Sequence, residues 1–219
     1  PLPGAGLFIH RLRFGPRRVL VGIDPDVDHR RLAARLDLFA GAAQSRADLI
    51  WVMNLLAVAL IRNRNSAVKP PQLGFDTKLL VVDPENSVFY DCFKSGDRTL
   101  TNNKSSRIEG IGRPKVEHSF QPNVIDQMIQ VPDAASVATM LWLEKIIGRK
   151  AGASTGTNIW GALCLAEEME TNKEQGSIVT LMCDSGERYL DSYYDEKWVE
   201  EYIGDIQPYT DKLNDWFLK

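Results

Sequence analysis

An α/β fold, a mainly parallel sheet flanked by helices, is the class that residues 78–203 predict. Lys78-Leu79-Leu80-Val81-Val82-Asp83 is a continuous apolar run with a polar stop, the pattern of a strand buried on both faces. After Pro84, apolar residues recur at helical spacing up to Gly96. Strand-like and helix-like stretches then alternate to residue 203, as they do where helices cover a mainly parallel sheet.

The elements follow in order. Val88, Phe89, Cys92 and Phe93 predict a short helix ending at Gly96. Residues 96–121 carry Gly96, Gly110, Gly112 and Pro114 with few apolar runs and read as a long loop, a kind of segment that is usually functional or disordered. Val124 to Val131 reads as a second strand. Pro132 and Asp133 then signal a helix start and Gly148-Arg149-Lys150 its stop. Between them Val137, Ala138, Leu141, Trp142, Leu143, Ile146 and Ile147 cover so much of the circumference that this helix should be deeply packed. A glycine-rich run, Gly152 to Gly161, opens a helix to about Glu170; a third strand runs from Ser177 to Cys183, and a short helix begins at Gly186. Tyr209 to Lys219 reads as a small packing helix.

The 219 residues, 44% apolar and 25% charged, suffice for one sizeable core. A net charge of −3 argues against nucleic acid as the main partner. Cys92, Cys164 and Cys183 form no C-x-x-C or C-x-x-H pair, so neither a disulfide framework nor a zinc site is signalled, and a cytoplasmic setting is expected.

Positive charge is encoded differently in the two parts of the chain. Residues 1–66 hold ten arginines, no lysine and five aspartates; the remainder holds five arginines, eleven lysines and twenty-four acids. A domain fusion, a misassigned first exon or a shifted reading frame would each give such a switch. Lys69-Pro70-Pro71-Gln72 marks the change, and the expected division is an unassigned segment 1–71, a main unit 72–204 and a helical tail 205–219. The five aspartates contradict a mitochondrial address. The apolar run Leu49 to Ile61 would span about 20 Å as a helix against a bilayer core of about 30 Å, so a buried helix is expected there rather than a membrane span. Arg30 to Ala43 and Ala47 to Ile61 are the helical candidates of this segment.

Three chemistries can be weighed at the glycine-rich run and elsewhere. Gly152-x-Ser154-x-Gly156 matches a nucleophile elbow in form, but Arg149-Lys150-Ala151 is a poor strand end and no histidine follows it. Asp24-x-Asp26-x-Asp28 opens like a calcium loop, yet His29 and Arg35 occupy the places of its glycine and glutamate. His118, alone in the loop, reads as a surface residue. The third reading is a helix start that receives an electron-rich group of a ligand, because free amides and the helix dipole favour one there. On local sequence alone Ser154 is first of all a helix N-cap, and Gly110 and Gly112 read equally well as a simple turn.

Four motifs, in order and at matching spacing, go further: Val81-Val82-Asp83-Pro84-Glu85-Asn86-Ser87, Ser106-Arg107-Ile108-Glu109-Gly110-Ile111-Gly112, Gly152 to Asn158, and Ser185-Gly186-Glu187-Arg188-Tyr189. Over residues 73–204 they resemble the cysteine synthase, cystathionine β-synthase and L-cysteine desulfhydrase family of fold-type II pyridoxal-phosphate enzymes, the bacterial desulfhydrases above all. Residues 1–71 match nothing in that family. The resemblance implies part of a fold-type II large domain with pyridoxal phosphate as cofactor. It implies β-elimination or β-replacement on a small, cysteine-like amino acid, and a homodimer. It implies that Ser154 hydrogen-bonds the pyridine nitrogen and that Gly110 and Gly112 line the active-site wall. In the family, the Schiff-base lysine, the Ser/Thr-Gly-Asn loop for the substrate carboxylate and the glycine-rich phosphate cradle precede the Val-Val-Asp-Pro-Glu-Asn strand. None is found here, so no catalytic residue is assigned and the expectation is a truncated, impaired enzyme. The competing expectation is a non-catalytic protein that associates with an intact relative, its uncovered apolar surface favouring self-association.

Overall fold

A computed structural model describes residues 10–14, 17–21, 57–62, 78–174 and 176–218. Its strands are β1 (His10–Phe14), β2 (Arg17–Val21), β3 (Ala57–Arg62), β4 (Lys78–Pro84), β5 (Gln127–Val131) and β6 (Gly176–Thr180). Its α-helices are α1 (Phe89–Ser95), α2 (Asp133–Ile147), α3 (Ala153–Thr171), α4 (Glu196–Tyr202) and α5 (Gln207–Leu218).

The strands form one sheet in the order β1-β2-β6-β3-β4-β5. The α/β class expected from the sequence is the one observed. β4 and β5 pair in parallel, with Val81 opposite Met128, and β2 pairs in parallel with β6. β3 lies antiparallel to both β4 and β6, and β1 to β2, so the complete sheet is mixed. Strands from both sides of the Lys69-Pro70-Pro71-Gln72 connector share it.

β4 shows why its sequence has no polar alternation. Leu80 and Val82 join the core formed with α2 and α3, while Leu79 and Val81 join a second core with Phe89, Cys92, Phe120 and Met128. Successive side chains of a strand point to opposite faces, so a strand covered on both sides must be apolar throughout. Phe89 stacks on Phe120 at 4.6 Å in the second core.

Helix ends fall where the backbone demands them. Gly96 closes α1 and Gly148 closes α2, each in the left-handed conformation (φ 76° and 70°) that glycine adopts without penalty. α5 is tied to the main core by Leu213, which has no exposed surface, and by Trp216, which packs against Trp160 at 5.0 Å.

Three sequence expectations need correction. The helix expected over Ala47 to Ile61 is replaced at its end by strand β3, because backbone pairing with β4 and β6 claims Ala57 to Arg62; residues 47–56, the Arg30 to Ala43 candidate and the Asp24–Asp28 run lie outside the described residues. The second strand is Gln127–Val131 rather than Val124 to Val131, since Pro122 sets a 3-10 turn through Val124 and the Asp126 carboxylate accepts from the Leu79 amide at 2.6 Å. The third strand ends at Thr180, and Gly186–Tyr189 forms a 3-10 turn rather than an α-helix.

Candidate functional site

The site is built around the first turn of α3. Its N-cap is Gly152, in extended conformation, and no side chain caps this end, so Ser154 is not the N-cap that its type suggests. Ser154 lies one residue into the helix and is half-buried, while Thr155, Thr157 and Asn158 are buried completely. The strand end required for a nucleophile elbow is absent: Ala151 makes only an isolated bridge to Ser185, and Ser154 is already helical.

The glycines of this turn serve close packing. A Cβ on Gly156 would stand 1.9 Å from the carbonyl oxygen of Ser136, so glycine lets α3 cross α2 almost backbone to backbone. Thr157 adds a hydroxyl contact to Ser136 at 2.8 Å across the same crossing.

The polar side chains of the turn reach the segment that follows β6. Thr155 Oγ1 accepts from the Cys183 amide at 2.9 Å, and Asn158 Nδ2 donates to the Leu181 carbonyl at 3.0 Å. These bonds take the backbone groups that a longer strand would need, which is why β6 stops at Thr180. Asn158 Nδ2 also faces the Cys183 sulfur at 3.6 Å. Cys183 is exposed as a residue, but protein crowded around the sulfur pushes its thiol pKa up; the hydroxyls of Ser154 and Thr155 pull it back and the charge of Asp184 adds to the rise.

Asp184 closes the turn from the other side. Its backbone oxygen accepts from the Gly152 amide at 3.0 Å, and Oδ2 accepts the Tyr189 hydroxyl proton. Burial, then that carboxylate, holds the Tyr189 phenol above its usual range.

Gly110 and Gly112 lie in a loop fixed by a separate set of bonds. The Asp133 carboxylate accepts from the Arg107 amide and from Ser106 Oγ. The Tyr193 hydroxyl donates to the Arg107 carbonyl at 2.6 Å and accepts from the Glu109 amide at 2.9 Å. Ile108 is buried beneath. Burial pushes the Asp133 carboxyl up to about 6, against the pull of those two hydrogen bonds. Both glycines have positive φ, 88° and 77°. Gly112 would meet Pro84 Cγ at 2.9 Å if it had a Cβ, whereas Gly110 would meet nothing within 4 Å. Arg188 spans the two halves, 3.1 Å from Glu109 and 4.0 Å from Asp184. As an exposed pair, the first contact adds little stability.

Asp83, in the Val-Val-Asp-Pro motif, is a buried anchor rather than a reactant. Its carboxylate accepts from the Tyr90 amide at 2.9 Å at the start of α1, and burial pushes it up to about 7. His118 is exposed, as expected. Among the described residues no cluster of three His, Cys, Asp or Glu could hold a metal, and no helix is long and apolar enough to cross a membrane. A cavity of about 790 Å³ between α2, α4 and α5 includes none of Ser154, Gly110 and Gly112 in its lining.

Comparison with known proteins completes the picture. L-cysteine desulfhydrase Cds1 of Mycobacterium tuberculosis is 52% identical over 123 residues, covering 56% of this chain and 33% of that protein. Cysteine synthase 1 of Neurospora crassa is 28% identical over 130 residues, covering 58% of this chain and 34% of that protein. This stretch is homologous to L-cysteine desulfhydrase and cysteine synthase. A Caenorhabditis elegans relative, provisionally described as pyridoxal-phosphate dependent, is 32% identical over 58% of this chain. The crystal structure of O-ureido-L-serine synthase covers 57% of this chain at 21% identity, with a TM-score of 0.46. No family model matches. The chain spans about a third of the length of the curated relatives it matches.

Sequence reasoning singled out Ser154, Gly110 and Gly112 and missed the residues that hold them. Asn158, four residues after Ser154 and so on the same helical face, was the one legible signal. Asp133 read only as a helix-start residue, and nothing local announced Cys183 or Tyr193.

Proposed function

We propose that residues 72–204 supply the ring-nitrogen side of a pyridoxal-phosphate site in a protein that carries out β-elimination or β-replacement on cysteine-like amino acids. Pyridoxal phosphate is the cofactor expected from the relatives. The observation that carries the reading is Ser154: a half-buried hydroxyl in the first turn of α3, unused for capping, on a stretch homologous to cysteine desulfhydrase and cysteine synthase. The residues fit one end of the cofactor. A hydroxyl is a neutral partner that can donate to a pyridine nitrogen without holding it protonated, and the open space beside Gly110 leaves room for a ligand.

When bound, the cofactor supplies the electron sink for chemistry at the amino acid's β-carbon. The chain's own contribution is positional. Ser154 holds the nitrogen end, and the first turn of α3 is fixed to α2 at Gly156 and to the post-β6 segment through Thr155 and Asn158. The loop carrying Gly110 and Gly112 is pinned by Asp133 and Tyr193, so its bare backbone forms a firm wall. The lysine, substrate-carboxylate and phosphate-binding motifs expected of the family are not found in this sequence. Catalysis by this chain on its own is therefore proposed to be impaired, with no catalytic residue assigned. In a second reading, which rests on the same lack, the chain is a non-catalytic remnant that acts by associating with an intact relative.

Titration with pyridoxal phosphate, followed by quenching of protein fluorescence, tests the first reading. Wild type should bind and Ser154→Ala should bind about tenfold more weakly, the loss of one hydrogen bond in a sheltered site. Equal binding by the two would remove Ser154 from the site. Borohydride reduction and peptide mapping should trap the cofactor on no single lysine; specific trapping would show a complete active site and overturn the impairment.

A further inference from the structure

Tyr193 and Tyr194 are neighbours in the chain, yet their hydroxyls hold two different segments. Tyr193 Oη donates to the Arg107 carbonyl at 2.6 Å and accepts from the Glu109 amide at 2.9 Å. Tyr194 Oη donates to the Ala151 carbonyl at 2.9 Å and accepts from the Ala151 amide at 3.0 Å. Each hydroxyl donates once and accepts once, both times to backbone, so it fixes the path of its segment. The first segment leads into Gly110 and Gly112; the second leads through Gly152 into the turn that carries Ser154. On these two segments the proposed cofactor site draws.

The dipeptide that joins them is itself held in place. Tyr193 is buried, its ring 5.2 Å from those of both Tyr189 and Trp198. Tyr189 in turn bonds Asp184, whose backbone oxygen accepts from the Gly152 amide. Lys150, paired with Glu144 at 2.5 Å, lies over the Tyr194 ring at 4.1 Å. Asp195 follows at once and caps α4, accepting from the Trp198 amide at 2.8 Å. Burial raises both phenols, Tyr194 to about 12, so both stay protonated and able to donate. Arg188 also spans Glu109 and Asp184, but as an exposed side chain it adds little.

We propose that Tyr193 and Tyr194 are positioning residues that couple the Gly110 loop to the start of α3, so that the two segments keep one spacing and shift together. The role rests on the cofactor reading given above and adds a mechanical link to it. Each hydroxyl proton is already committed to a backbone carbonyl, so the pair acts through the segments it holds.

Two measurements on the 219-residue chain test this. The first needs no cofactor: hydrogen exchange by mass spectrometry over residues 106–112 and 151–158, in wild type, Tyr193→Phe and Tyr194→Phe. Phenylalanine keeps the ring and removes the hydroxyl. Exchange should speed about fivefold in the segment that loses its bond and about twofold in the other. The interior of α2 should be unchanged and report that the fold is intact. Speeding confined to the segment that loses its bond, speeding that extends to α2, or none at all would each overturn the coupling.

The second is pyridoxal phosphate binding, read by quenching of protein fluorescence, in wild type, the two single variants and the double variant. Each single substitution should weaken binding about fivefold and the double little more than either, because residues of one unit do not add. Losses that multiply, to about 25-fold in the double variant, would show two independent supports and overturn the coupling. Binding unchanged in every variant, with wild type binding, overturns the positioning role and leaves the cofactor reading standing. Binding by none of the four chains overturns the cofactor reading itself, and this role falls with it.

Discussion

Replacing Gly156 with alanine tests how the first turn of α3 is held. The added Cβ would stand 1.9 Å from the Ser136 carbonyl oxygen, 2.9 Å from its carbonyl carbon and 3.1 Å from the Met140 nitrogen. Non-bonded atoms of this kind prefer to be about 3.5 Å apart, so α2 and α3 must separate by more than about 1 Å. The obstructing atoms are backbone, and no change of rotamer can relieve them. Overpacking of this sort costs about 1–3 kcal/mol and sometimes more, while alanine regains about 1 kcal/mol of helix propensity. With the clash at the severe end, the net loss should be about 2 kcal/mol. Gly161 provides the comparison, because its Cβ would meet Val82 Cγ1 at 2.2 Å, a side-chain methyl rather than backbone. Urea unfolding followed by circular dichroism should place Gly156→Ala below Gly161→Ala, and both below wild type, with similar m-values. A Gly156→Ala chain as stable as wild type would refute the backbone-to-backbone crossing.

Two further predictions concern the buried acids. The folded-state pKa of Asp83, about 7, lies above its ordinary value of 3.8, so the folded chain binds this proton more tightly than the unfolded chain. Its contribution to stability is therefore largest below about pH 4 and is lost as pH rises from about 4 to 7. Relative to Asp83→Asn, which cannot titrate, wild type should gain stability on acidification from pH 7.5 to 5, measured as the difference in urea midpoints; a relative loss would mean that the carboxylate is stabilised in the fold. Asp133→Ala removes the acceptor shared by Ser106 and Arg107. Hydrogen exchange over residues 106–112 should speed about tenfold while the interior of α2 is unchanged, and unchanged loop exchange would mean that Tyr193 alone suffices to pin it.

Much of this architecture could be read from residue order. The unbroken apolar run of β4 gave away its double burial, and Gly96 and Gly148 marked helix ends where a left-handed residue was needed. The apolar stretch ending at Ile61 did not reveal β3, because an apolar run looks the same in a buried helix and a buried strand until its neighbours are known. Ser154 resembled an N-cap because serine favours that role, yet the extended Gly152 takes the position and frees the hydroxyl. The supports of the site were hidden for one reason. Asp133 meets Ser106 across 27 residues and Asn158 meets Cys183 across 25, and such pairings exist only once the fold has brought distant segments together.

The most direct test of the account is the state of the ring nitrogen itself, read by nitrogen NMR of ring-labelled pyridoxal phosphate bound to the chain. The account predicts a neutral, hydrogen-bonded pyridine nitrogen in wild type, with a resonance that moves in Ser154→Ala. A protonated nitrogen, or one with the same resonance in both chains, would contradict it.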